Sequence, residues 1–143
     1  MSKLSDFMTG GRPKSIERRV VSNIQNSVRT YDIGAVNPAT SYLLPTGNLK
    51  VYISSSTQVT APARASGSGD VTAPIIVVDG GSSIKSVQRG ASDGTASIPI
   101  DAVNPAKCML ICSSNATATI SANAITFRGA LTAGTRWELV EYK

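Results

Sequence analysis

Histidine is missing from this 143-residue chain, and with it the side chain that most often serves as a general base near neutral pH. Cysteine is scarce. Cys108 and Cys112 form a C-x-x-x-C pair, which without histidine makes no zinc site. On a strand the two would share a face too far apart for a disulfide, so they are expected as small buried apolar side chains. Acids are few, nine against 14 lysines and arginines, and they are scattered from Asp6 to Glu141. No nucleophile elbow, P-loop or dinucleotide fingerprint occurs. Gly67-Ser68-Gly69 lacks the context of a phosphate cradle and reads as loop. The chain is therefore expected not to be an enzyme, and to need no cofactor or metal. No apolar run reaches the length of a membrane span, and Met1-Ser2-Lys3-Leu4-Ser5-Asp6 lacks the apolar core of a signal peptide. No membrane partner is expected.

What is present is a repeat. Val36-Asn37-Pro38-Ala39 returns as Val103-Asn104-Pro105-Ala106. The match extends upstream, where Thr30 to Ala35 lies over Ser97 to Ala102, and downstream, where Thr40 to Leu44 lies over Lys107 to Ile111. After a slip, Gly10-Gly11 and Ser15-Ile16 answer Gly80-Gly81 and Ser83-Ile84. Pro74 to Asp79 lies over Arg136 to Glu141. A repeat at this period is the first thing to settle in a sequence, since it decides the fold. The chain reads as an N-terminal arm over 1–14, one unit over 15–81 and a second over 82–143. A unit of this size buries a thin core, so the two are expected to pack on each other or on neighbouring subunits. Asn-Pro ends one strand and aims the next, because proline fixes its own backbone angle and pushes the preceding residue towards extended geometry. It reads as a structural corner.

In chain order, Leu4, Phe7 and Met8 form an apolar arm that would need a groove to lie in, followed by Gly10-Gly11 and Pro13. Residues 14–29 fit a helical face through Ile16, Val20, Val21 and Ile24, but the second copy reads as strand there, and strand is preferred. Strands follow near 27–33, 41–44 and 49–54, with a turn at 45–48. The Ala-, Ser-, Gly- and Pro-rich stretch 57–70 reads as a surface loop. Pro74 to Val78 reads as a strand buried on both faces. The second copy is expected as strands at 83–89, 95–100, 108–112, 117–120, 124–128 and 135–142. Pro99 marks an edge, and Cys108 to Cys112 is expected at a sheet centre. The fold class is all-β, a sandwich or barrel-like arrangement of two related tandem units behind an extended arm.

Arg12, Lys14, Arg18 and Arg19 make a basic cluster, but no aromatics are interleaved with it as in a single-strand binder, and the net charge of +5 is modest. A solvated face or a rim against an acidic neighbour is expected, not specific nucleic-acid binding. Tyr42, Tyr52 and Trp137 would be the stacking platforms of a carbohydrate-binding module, although core or interface roles are preferred for them.

Three phrases carry a resemblance. They are Ser83-Ile84-Lys85-Ser86-Val87-Gln88-Arg89-Gly90, the strand and corner ending in Asp101-Ala102-Val103-Asn104-Pro105-Ala106-Lys107, and the closing Trp137-Glu138-Leu139-Val140-Glu141-Tyr142. Together they resemble small structural proteins of tailed bacteriophages. Met1 to Phe7 with Gly10-Gly11 is also similar to the arm of phage appendage proteins. Arg18-Arg19 and Val20-Val21 depart from the Q-R-G phrase, so the first copy is expected to differ there. The resemblance implies a virion component without enzymatic activity, assembled in the host bacterial cytoplasm. The expected role is a tail fibre, baseplate or tail-tip appendage docked through Leu4, Phe7, Met8, Arg12 and Lys14. Capsid decoration is the alternative, and a carbohydrate-binding β module a third reading. The expected partners are other virion proteins, tail or major capsid, and further copies of the chain in a homotrimer.

Overall fold

The computed structural model describes residues 13–45, 49–114 and 116–143. Among these described residues twelve strands run β1 Ser15–Asn23, β2 Arg29–Asp32, β3 Ser41–Pro45, β4 Tyr52–Ser55, β5 Gln58–Ala61, β6 Val71–Asp79, β7 Ile84–Ala91, β8 Ser97–Pro99, β9 Cys108–Cys112, β10 Ala118–Ile120, β11 Ala124–Phe127 and β12 Arg136–Tyr142. They form four three-stranded antiparallel sheets in the orders β1-β6-β3, β2-β5-β4, β7-β12-β9 and β10-β11-β8. The third and fourth sheets repeat the first and second strand for strand. In each unit the last strand enters the centre of the larger sheet, between the first and third.

Alternation explains the layers. In β6, Ile75 and Val77 point inward and are buried, while Ile76 between them is 36% exposed. β-branched side chains suit this half-buried pleated surface. The first core gathers Val21, Leu43, Val59, Ile75 and Val77 with Ile33, Val36, Leu49, Val51 and Ile53. A separate second core gathers Ile98, Val103, Ile125, Phe127, Leu131, Trp137 and Leu139. Each unit is thus a small two-sheet sandwich with its own core.

Several expectations change. β6 is buried on one face along its middle, not on both. Within the expected loop 57–70, Gln58 to Ala61 is a strand paired with both β2 and β4. Its Val59, Thr60 and Ala61 are buried, and one apolar-polar-apolar triplet among small residues was too short a signal. Cys108–Cys112 is an edge strand, because β12 takes the centre, and both cysteines are half-buried, free thiols.

Register corrects the alignment of the copies. Asp79 pairs with Ser15 and Ser41, and Glu141 pairs with Ser86 and Cys108. Ser15-Ile16-Glu17-Arg18-Arg19 therefore lies over Ser86-Val87-Gln88-Arg89-Gly90, not over the residues from Ser83 onward. The two copies do not diverge in fold here. Glu17 accepts from the Gly34 amide at 2.6 Å and Gln88 accepts from the Asp101 amide at 2.8 Å, the same bond built twice.

Candidate interaction site

Two carboxylates end the central strands. Asp79 and Glu141 are almost wholly buried, and each receives the amide of the Asn-Pro corner, Asn37 at 3.2 Å and Asn104 at 2.8 Å. The asparagine side chain then accepts from the amide two residues on, Ala39 at 3.0 Å and Ala106 at 3.1 Å. A lysine completes each latch, Lys14 3.9 Å from Asp79 and Lys85 2.9 Å from Glu141. Burial alone would push both carboxyls up. The amides of Asn37 and Gly81, the Thr40 hydroxyl and the Lys14 charge instead hold Asp79 below the ordinary range. Asn104, Lys85 and Ser86 do the same for Glu141. The repeated tetrapeptide is the corner that closes onto this latch.

The joint between the units is built from the resemblance phrases. Glu138 on β12 and Arg89 on β7 pair at 2.9 Å on the outer face of the second unit. Glu138 accepts from the Leu43 amide of edge strand β3 at 2.6 Å. Arg89 donates to the carbonyls of Pro38 at 2.9 Å and Ser41 at 2.5 Å. The first unit's corner and edge strand therefore lie across the second unit's sheet. Burial raises Glu138 above the ordinary carboxylate range, against the opposing Leu43 amide and Arg89 charge. The Arg136 guanidinium stacks 4.0 Å over the Tyr52 ring.

Among the described residues, nothing covers the corresponding face of the first unit. Register places Ile16, Arg18 and Val20 over Val87, Arg89 and Ala91, and Ile76 over Glu138. Ile16 is 65% and Val20 63% exposed, with Arg18 exposed between them. Ile16, Val20 and Ile76 thus share the outer face of the first unit's larger sheet, exposed apolar side chains of the kind that can offer a partner a surface. The spacing Ile16, Arg18, Val20 carries its signal in the sequence, once β1 is known to be a strand.

Of the expected docking residues, Leu4, Phe7, Met8 and Arg12 lie outside the described residues, and Lys14 stands beside Asp79 at the start of β1. The basic cluster is dispersed: Lys14 meets Asp79, Arg19 pairs with Glu17, and Arg18 points from the bare face. Trp137 is buried in the second core. Tyr42 is bonded to Tyr142, and its hydroxyl is pushed up by burial and by that neighbour. The sequence alone does not show the Arg89–Glu138 joint or the latch role of Asp79 and Glu141, although the repeat lays the last two over each other. No helix among the described residues is long and apolar enough to cross a membrane. Compared with protein-family models, curated proteins and solved structures, the chain matches none.

Proposed function

We propose that this chain is a non-enzymatic structural component of a tailed-bacteriophage virion, attached through its N-terminal segment as a tail fibre, baseplate or tail-tip appendage. The observation that carries the reading is where the resemblance phrases fall. Lys85, Arg89, Asn104, Glu138 and Glu141 each hold one strand, corner or unit to another. The most distinctive residues of the chain are thus spent on joining parts, as befits a building block. Capsid decoration is the alternative, supported by the exposed sheet face of the first unit. A carbohydrate-binding module is less favoured, because Trp137 is buried and Arg136 covers a face of the Tyr52 ring.

The test is labelling of purified particles with antibody against residues 49–114. Label on tails supports the first reading, and label on heads supports decoration. Particles without the protein overturn both. Deleting residues 1–14 is expected to release the protein from particles while its melting temperature stays within a few degrees of the full chain. Retention of the truncated chain would exclude the arm as the anchor.

A further inference from the structure

We propose that the bare face of the first unit is the seat for edge strand β9 of a second copy, so that the contact made within the chain is repeated between chains. The seat follows from the repeat and holds whether or not the chain is a virion component.

Inside one chain, the second unit offers a face and the first unit offers an edge. The face carries Arg89 and Glu138. The edge is β3, with the Leu43 amide and the carbonyls of Pro38 and Ser41 directed at them. Each unit possesses both parts. The second unit also has an outermost strand, β9. Its Leu110 stands in the register position of Leu43, and its corner carbonyls, Pro105 and Cys108, in those of Pro38 and Ser41. The first unit also has a face, with Arg18 in the position of Arg89. One face and one edge are joined within the chain. The remaining face and edge match the joined pair in strand register and in the arginine, and differ from it at position 76.

The unjoined face is also the one with the exposed apolar side chains Ile16, Val20 and Ile76. Position 76 holds isoleucine where the second unit holds Glu138. The seat thus keeps the arginine that reaches carbonyls and replaces the carboxylate with apolar surface. A face on one chain that takes an edge from the next is a heterologous contact, which closes into a ring when the rotation permits.

The test is the oligomeric state of the full chain by light scattering at about 50 µM, where micromolar contacts are populated. Wild type is expected as a discrete oligomer. Arg18→Glu removes the donor from the face, and Met109→Lys places a charge on edge β9, the device by which edge strands refuse partners. Each is expected as a monomer with unchanged circular dichroism. A 1:1 mixture of the two is expected to form a dimer and nothing larger, since only one intact face and one intact edge remain. Ile76→Glu restores the Arg89–Glu138 pattern on the first unit and is expected to retain the oligomer, whereas a merely sticky patch would lose it. A monomeric wild type overturns the proposal, as does deletion of residues 1–12 turning a monomer into an associating chain, which would show those residues as the occupant. Failure of the mixed variants to pair, or loss of the oligomer in Ile76→Glu, overturns it equally. Arg18→Ala serves where Arg18→Glu fails to fold.

Discussion

The two units share a topology, a latch and a corner, and they part company in what the outer face of the larger sheet holds. Arg89 and Glu138 of the second unit hold the first unit's edge, while Arg18 and Ile76 in the same register hold nothing of that unit's partner. The residues common to both copies close each sandwich on itself. The residues that differ decide what each sandwich meets. The largest effect is expected of Glu138→Ala. It leaves Arg89 half-buried without its carboxylate and the Leu43 amide without its acceptor. Breaking a buried ion pair costs about 3–5 kcal/mol, and urea unfolding is expected to show a loss of that size. Ile76→Ala, at the matching position, should lose no more than about 1 kcal/mol in monomeric protein because that side chain is partly exposed. Equal losses would mean that the units are not differently employed.

The buried carboxylates come next. Asp79 and Glu141 lie below the ordinary range when folded. Their contribution is fully present above the unfolded values of about 3.9–4.3 and is lost as pH falls through the folded values. Glu138 is raised and has the opposite sign, so its burden is relieved on acidification. Two depressed groups against one raised group predict a net fall in melting temperature below about pH 4. Asp79→Asn and Glu141→Gln should each cost about 1.5–3 kcal/mol at neutral pH, the range for a hydrogen bond to a charged group, and each should flatten the acid slope. A melting temperature that rises towards pH 3 would show that the latches do not act as described.

How much of this was legible follows from what kind of signal each part leaves. The all-β class, the repeat and the Asn-Pro corner rest on local chemistry, and strand alternation and proline geometry are written residue by residue. The fate of β9 is not. Cys108 to Cys112 reads as central from its apolar run, but β12 outcompetes it by pairing on both sides, a property of the whole sheet. The Glu17–Gly34 and Gln88–Asp101 bonds, built alike, reveal the alignment of β1 with β7, where single-letter similarity had chosen Ser83-Ile84. The joint was invisible for the same reason. Arg89 and Glu138 are 49 residues apart, and their common partner is a backbone edge that carries no side-chain signature.

Gly90 sharpens the comparison at smaller scale. A Cβ there would come within 2.9 Å of Trp137 Cζ2. The indole crosses the strand at this point, and glycine makes room for it. In the first unit the matching pair is Arg19 opposite Ile75, where a smaller core side chain lets a long one stand. Gly90→Ala is expected to cost about 1–3 kcal/mol through overpacking, while Arg19→Ala should stay within about 0.5 kcal/mol. Thermal melts of the two variants would decide it, and an innocuous Gly90→Ala would mean that Trp137 shifts freely.

The smallest expected difference separates the two lysines. Lys85 reaches Glu141 at 2.9 Å and Lys14 stands 3.9 Å from Asp79, their side chains 56% and 69% exposed. Pairs as solvated as these contribute about 0–1 kcal/mol. The amides of Asn37 and Asn104 therefore do most of the work of neutralising the carboxylates, with the lysines as an outer layer. Lys85→Ala is expected to lower stability by up to about 1 kcal/mol and Lys14→Ala by less. Both losses should shrink in 1 M salt, where the screening length falls to about 3 Å. If Lys14→Ala proved the more damaging at every salt concentration, the loss would lie in the lysine's aliphatic stem and not in its charge, since the substitution keeps the backbone amide that donates to the Asp79 carbonyl at 2.7 Å. The start of β1, not the charge, would then be what the first copy adds to the shared design.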